Sequence, residues 1–317
     1  MTPESAEPRA CRLCGASQVQ SVGSIADSDY FAGRVLDEPI AGRWLWRCES
    51  CESLFRHPIL STSTYLQLYE AGAPEQWQAD AHRRDLQLIR SIIALRPLTR
   101  DVLDVGCGSG DFLLSLPAAI GKSGIEPSVA AAGRAASRGI AIAAESLERL
   151  PAEARFDVIT FIDVVEHLPE PGQLLRTAMS HLHPGGIIIV STGDPQSAAW
   201  RFFGSRFWYS SFPEHVSFPS GKFLERWQAE NGGGGFEKLA TRYRHLPRSL
   251  AALYWIIQLG YCVSPALFHR VGRVAGLLGR LKPKRRYFSP AVPGLFVDHQ
   301  VVTLRGPAVA RENRKSA

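Results

Sequence analysis

Acidic residues are scarce at one end of this chain. Residues 241–317 contain only Asp298 and Glu312 against fourteen Lys and Arg, a local balance of +12. The whole chain is +6, which leaves −6 for the first 240 residues. That asymmetry excludes a uniformly basic nucleic-acid binder and points to an anionic partner for the last quarter. An apolar run is missing from MTPESAEPRA at the start, so no secretory signal peptide is expected. Cysteine is sparse too: six in 317 residues, four of them paired as Cys-x-x-Cys, which argues against a disulfide framework and for a reducing, cytoplasmic compartment. No internal repeat is present. The chain is not poor in apolar residues (45%, with 21% charged), which excludes a disordered polymer and leaves enough to bury a full α/β core.

The pattern along the chain divides it into pieces. Residues 1–60 are short, loop-like and cysteine-paired. In 61–100 the apolar spacing of Leu86, Ile89 and Ile93, closed by Pro97, predicts a helix. From 101 to 244, short β-branched runs alternate with helical stretches, as in βαβ units around a mostly parallel sheet. Residues 245–294 break that rhythm. HQVVTLR, within 295–306, reads as a last strand, and 307–317 as a disordered tail.

VLDVGCGSGDFL (102–113) reads as strand, glycine-rich turn and helix start, with Gly106, Gly108 and Gly110 permitting a sharp turn and close approach of a ligand. A second short strand, GKSGIEP, ends in Glu126, where an acid is placed to take the two hydroxyls of a ribose. ESLERLP follows, and then FDVITFID, a buried strand ending in Asp163. The loop spacing is G-x-G-x-G behind an acid, Asp104, which would repel a pyrophosphate and suits a ligand with a cationic end. These motifs resemble the class I S-adenosylmethionine-dependent methyltransferases, over roughly 75–244 and 295–305. The resemblance implies a Rossmann-like seven-stranded sheet and S-adenosylmethionine as cofactor. It places Asp104 and the 106–110 loop at the methionyl part, Glu126 at the ribose, Glu145 or Ser146 near adenine, and Asp163 near the sulfonium. Cys107 is read as a packing residue.

CRLC (Cys11, Cys14) and CESC (Cys48, Cys51) form two knuckles 33 residues apart, a spacing that closes a tetrahedral four-thiolate zinc site with no open position and hence a structural role. The alternative is four reduced cysteines in a small core, hard to build in so short a segment without a staple. A zinc-ribbon-like module, a methyltransferase domain and a later Glu-His together resemble sugar C-methyltransferases and methyltransferases of surface-glycan clusters. RNA methyltransferases with zinc ribbons are the competing resemblance, but the basic charge lies far from the knuckles, and DVVEH stands where base N-methylating enzymes carry Asn/Asp-Pro-Pro-aromatic.

Two Glu-His pairs stand out. Glu166-His167 follows the fourth strand, and in the resembled family this position is very often Glu-His, which implies pocket shaping more than proton transfer. Glu214-His215, in PEHVSFPS, falls in the acceptor region, where the sugar C-methyltransferases carry their base. His215 is therefore the candidate base and Glu214 its orienting acid, the alternative being a His that packs the region or caps a helix near Ser220. The two pairs are expected at different ends of one pocket, with the aromatic stretch 198–212 as a lid whose Arg201 and Arg206 meet an anionic group.

Residues 249–268 carry no formal charge, yet Gln258, Gly260, Ser264 and Pro265 make a poor membrane span. Beyond them Leu267, Val271, Val274, Leu278 and Leu281 form a stripe beside Arg270, Arg273, Arg280 and Lys284, the pattern of a helix lying on an anionic membrane surface. A hairpin packed on the sheet is the alternative. The expectation is a methyltransferase acting on an oxygen or carbon of a small or lipid-linked acceptor, a sugar precursor or a quinone-like ring. It is cytoplasmic, in peripheral contact with the inner face of the membrane, and has no nucleic-acid partner. The alternatives are an rRNA or tRNA methyltransferase and a catalytically inactive membrane-peripheral module.

Overall fold

The computed structural model describes residues 7–70, 72, 83–232, 235–243, 248–264, 267–268 and 296–306. Its first part is all-β: β1 (Val19–Ser24), a hairpin of β2 (Ser28–Phe31) and β3 (Arg34–Ile40), then β4 (Trp44–Cys48) and β5 (Leu54–His57). Helices α1 (Thr62–Glu70) and α2 (Arg84–Ala94) lead into the large sheet. In α2 the stripe expected from spacing is buried (Leu86, Ile89, Ile93), and the helix ends at a Leu95 cap two residues ahead of Pro97.

The alternating region follows the expected rhythm. It runs β6 (Asp101–Val105), α3 (Asp111–Leu114), β7 (Gly121–Ile125), α4 (Val129–Ser137), β8 (Ala141–Ala144) and β9 (Phe156–Ile162). Then come α5 (Pro171–Ser180), β10 (Leu182–Gly193), α6 (Ala198–Phe203), β11 (Ser217–Phe218), α7 (Gly221–Asn231) and β12 (Phe236–Thr241). After α8 (Arg248–Val263), β13 (His299–Arg305) is the last strand, as HQVVTLR suggested. The sheet order is β12-β13-β10-β9-β6-β7-β8; β13 alone is antiparallel to its neighbours.

Strand alternation divides the core between the two faces. Leu103, Val105, Ile188 and Val190 point to the face covered by α5 and α7, while Val102, Ile187 and Ile189 meet α2, α3 and α4. Chain direction reverses its lateral progress at β6, which lies between β7 and β9, and such a switch point opens a crevice beyond the strand ends. Every site residue expected in the sheet lies at that edge.

The N-terminal strands form a second sheet, β1-β4-β5-β11, whose last member comes from the segment just after His215. Cys11, Cys48, Cys51 and Trp46 pack into the same core as α5 and α7. The cysteine module is thus built into the body of the protein. Most of 265–295, including the apolar and basic stripes beyond Leu267, and all of 307–317 lie outside the described residues. Among the described residues no helix is long and apolar enough to cross a membrane.

Candidate active site

The cofactor side is built from consecutive backbone. Gly106, Gly108 and Gly110 all have positive φ (75°, 55°, 80°). A Cβ on Gly106 would come within 2.7 Å of Val164, and one on Gly110 within 2.8 Å of Ile140, so both need glycine twice over. At Gly108 the space is open, a cradle fit for a ligand. Glu126, at the end of β7, accepts from the Gly108 N–H at 2.9 Å and the Ser128 N–H at 2.8 Å, tying loop to strand. Asp104 is buried and accepts from Thr160 Oγ1 at 2.6 Å. Burial, with the Glu126 charge adding to it, pushes the Asp104 carboxyl up to about 7. Burial also raises Glu126. Two buried carboxylates beneath a glycine cradle favour a cationic ligand, which fits a sulfonium or an amino-acid ammonium. Cys107 packs against Gly124, leaving no room for a side chain there. Glu145 is exposed and paired with Arg149 at 2.9 Å, with half-buried Ser146 beside it.

Asp163 ends β9 in the left-handed region (φ 53°). Its Oδ2 meets the buried Arg83 guanidinium at 2.5 Å, and Arg83 also grips Asp85 and lies over the Tyr243 ring at 4.3 Å. Among the described residues Asp163 Oδ1 is buried without a hydrogen-bond partner, an acceptor that a ligand could satisfy.

Side chains from distant segments make the acceptor side. Glu166 is fully buried; its carboxylate accepts from the Tyr209 hydroxyl in a short bond and from Thr192 Oγ1 at 2.9 Å. Burial, with the Asp163 charge, pushes Glu166 up to about 7. His215 is 6% exposed, and its Nδ1–H donates to the Tyr209 carbonyl at 2.9 Å. A carbonyl only accepts, so the proton sits on Nδ1 and Nε2 keeps its lone pair. Burial and the neighbouring His167 hold His215 well below the ordinary histidine range, hence neutral. His167, lowered by burial, shares a 2.8 Å hydrogen bond with the Tyr69 hydroxyl.

Three expectations change here. The two Glu-His pairs do not occupy different ends of a pocket: the His167 and His215 rings stand edge to face at 4.9 Å. The cause is pairing of β11 with β5, together with the Val216 N–H donating to the Glu166 carbonyl at 2.8 Å, which folds 214–218 back over the end of β9. Nor does Glu214 orient His215. Its Oε1 accepts from the Ala32 N–H at 3.1 Å, its Oε2 is buried without a partner, and the Tyr209 carbonyl does the orienting. The aromatic stretch is core more than lid: Trp200, Phe207, Trp208 and Tyr209 are buried, although Phe202 is exposed. Ser220 caps α7 by accepting from the Phe223 N–H, independently of His215. Sequence reasoning missed Tyr69, Thr192 and Arg83, and singled out Tyr209 only as one member of the aromatic stretch 198–212.

The four cysteine sulfurs lie within 4.8 Å of one another, with Cys14–Cys48 at 3.6 Å and Cys11–Cys51 at 3.9 Å. Zn–S bonds of about 2.3 Å in a tetrahedron set sulfurs about 3.8 Å apart, so this donor set fits a zinc ion. Cys51 is lowered to about 5 by hydrogen bonding to Cys11, whose own thiol is raised by that bond and by burial.

A family model described as a methyltransferase domain matches residues 77–233. Over 150 residues the chain is 30% identical to a ubiquinone biosynthesis O-methyltransferase of Xanthomonas axonopodis pv. citri, covering 43% of this chain and 63% of that protein. It is 35% identical over 159 residues to a protein of the same description from Azorhizobium caulinodans, covering 45% and 62%. The match thus spans less than two thirds of these relatives. Among solved structures, the N-methyltransferase NodS of Bradyrhizobium japonicum superposes with a TM-score of 0.45 at 16% identity, over 75% of this chain and 95% of that one. Sheet order, glycine cradle and matched segment agree on one fold, that of the class I S-adenosylmethionine-dependent methyltransferases, with residues 77–233 similar to a methyltransferase domain and an N-terminal four-cysteine cluster packed against them.

Proposed function

We propose that the protein transfers a methyl group to a hydroxyl oxygen of a small, quinone-like ring, with His215 as general base. The observation that carries this reading is the His215 ring, fixed through Nδ1 by the Tyr209 carbonyl so that Nε2 is the proton-accepting nitrogen, and standing edge to face against His167 just beyond β9. When bound, S-adenosylmethionine supplies an electrophilic sulfonium methyl, so what the protein adds is alignment and removal of the acceptor proton. The Gly106–Gly110 loop, Glu126 and Asp163 would hold the cofactor, with Glu145 or Ser146 at its adenine. His215 Nε2 takes the hydroxyl proton as the oxygen attacks, while Glu166, clamped by Tyr209 and Thr192, shapes the wall behind it. The two O-methyltransferase relatives support an oxygen acceptor on a ring; a sugar hydroxyl of a glycan precursor is the other acceptor this chemistry serves.

Zinc at Cys11, Cys14, Cys48 and Cys51 is structural in this reading, and one zinc per chain by elemental analysis checks it. We take 1–60 as the zinc module, 61–244 with 295–306 as the catalytic body, and 245–294 as an insertion that meets an anionic membrane from the cytoplasmic side. Exposed Trp255, Ile256, Leu259 and Val263 on α8 support that contact, as does the basic run that follows them in sequence. The test is incubation with methyl-labelled cofactor and a membrane extract. Label in a quinone or lipid-linked fraction is expected; label in RNA, or in nothing, overturns the reading.

A further inference from the structure

Arg56 reaches from the cysteine module into the loop carrying the candidate base. It lies on β5 and is 2% exposed. Its guanidinium makes no ion pair among the described residues. It donates instead to four backbone carbonyls: Gly42 at 2.6 Å, Ser210 at 2.7 Å, Phe212 at 2.8 Å and His215 at 3.2 Å. Three of these belong to one loop, 209–215, whose Tyr209 carbonyl sets the His215 ring. A buried cation hydrogen-bonded only to carbonyls is costly to keep, even with the Glu214 charge favouring it, and an apolar side chain would pack a core better, so its retention asks for a reason. Its strand is held at both ends. β4 and β5 are joined through Cys48 and Cys51, the Cys51 carbonyl accepts a short bond from Ser220 Oγ, and β5 pairs with β11 beyond His215.

We propose that Arg56 is the positioning residue for His215, and that the four-cysteine module acts on methyl transfer by holding Arg56 in place. Arg56 itself touches no reacting atom. It gathers the carbonyls of 210, 212 and 215, which keeps the Tyr209 carbonyl in line with Nδ1 and leaves Nε2 as the proton acceptor. The cysteine cluster, remote from the chemistry, thereby gains a route to it, along β5. This rests on His215 being the base, so the test needs a readout that does not depend on turnover.

The groups facing His215 are His167 and the Glu166 carboxylate beyond β9, the latter within 4.8 Å of a His215 ring nitrogen, Arg56 on β5, His299 on β13, the Tyr209 phenol and the adjoining Glu214; the cations among them disfavour a charged His215. Arg56→Lys keeps the charge but not the planar fork that spans four carbonyls; Arg56→Gln loses both. In each variant, cofactor affinity by calorimetry and zinc content are expected to stay within about twofold, while single-turnover methyl transfer falls about 10²-fold. By NMR of ring-labelled histidine, the His215 titration moves to higher pH in Arg56→Gln, with a smaller move in Arg56→Lys. A His215 titration unchanged in both variants, with methyl transfer within about twofold of the parent, overturns the proposal. If no acceptor is ever methylated, the base assignment fails while the NMR result still decides whether Arg56 positions the ring. Should neither variant fold, the parent protein is followed by the same NMR signal during zinc removal by a chelator. A His215 resonance that shifts together with metal loss supports the coupling, and one that stays fixed overturns it.

Discussion

At one end of the crevice the walls come from neighbours in sequence: Asp104 and the glycines to 110 form the cradle, and Glu126 closes it from the next strand. At the other end Tyr69, Glu166, Thr192, Tyr209 and His215 arrive from four separate segments, held by a sheet whose first three strands belong to the N-terminus. The first end is shaped by backbone and the second by side chains placed through tertiary contacts. A local construction tolerates change elsewhere in the chain. A distributed one is sensitive to any element that holds a member, which is why a cysteine cluster and a buried arginine matter to a histidine some 160 residues later in sequence.

The contrast breaks first at Gly106. Gly106→Arg is expected to abolish cofactor binding by calorimetry, because the side chain meets Val164 and the φ of 75° is strained for any L residue. Unchanged affinity would mean the cradle is not the cofactor site. Next, His215→Ala should lower turnover by about 10²–10⁴-fold with cofactor affinity retained, the separation expected if the two ends act independently. Full activity in that variant would reduce the pair to packing.

A smaller effect tests the charge beneath the cradle. The Asp104 carboxyl, pushed up to about 7, must ionise to favour a cationic ligand. Cofactor affinity should therefore be fully present above pH 7 and fall as pH drops through it, by about tenfold between pH 8 and pH 6. Asp104→Asn should remove that slope, and a slope that survives the substitution would point to Glu126 instead. Smallest of all, Glu145→Ala should change cofactor affinity by about twofold, since its exposed pairing with Arg149 contributes little. A larger loss would sharpen the adenine assignment.

Much of the fold was legible because its signals are local. Periodicity in 86–93, the run FDVITFID and the acid at the end of GKSGIEP each concern a few adjacent residues, and each is found where expected. The pairing of the cysteine knuckles was legible too, since four thiolates at that spacing have few other uses. The acceptor side was half legible. His215 was singled out by type and context, but its partner was misread, because adjacent side chains diverge and Glu214 turns to Ala32. Tyr69 and Arg56 carried no signal at all: a tyrosine on a short helix and an arginine in LFRHP look like any others.

By itself, then, the sequence determined the sheet, the glycine cradle and the clustering of the four cysteines, all of which follow from backbone conformation or spacing within short windows. Which Glu-His pair faces which, what orients His215, and the joining of the cysteine module to the acceptor wall were decided only by tertiary structure. Those facts depend on β5 pairing with β11 and on Arg56 gathering carbonyls across more than 150 residues, contacts between groups that no local pattern brings together.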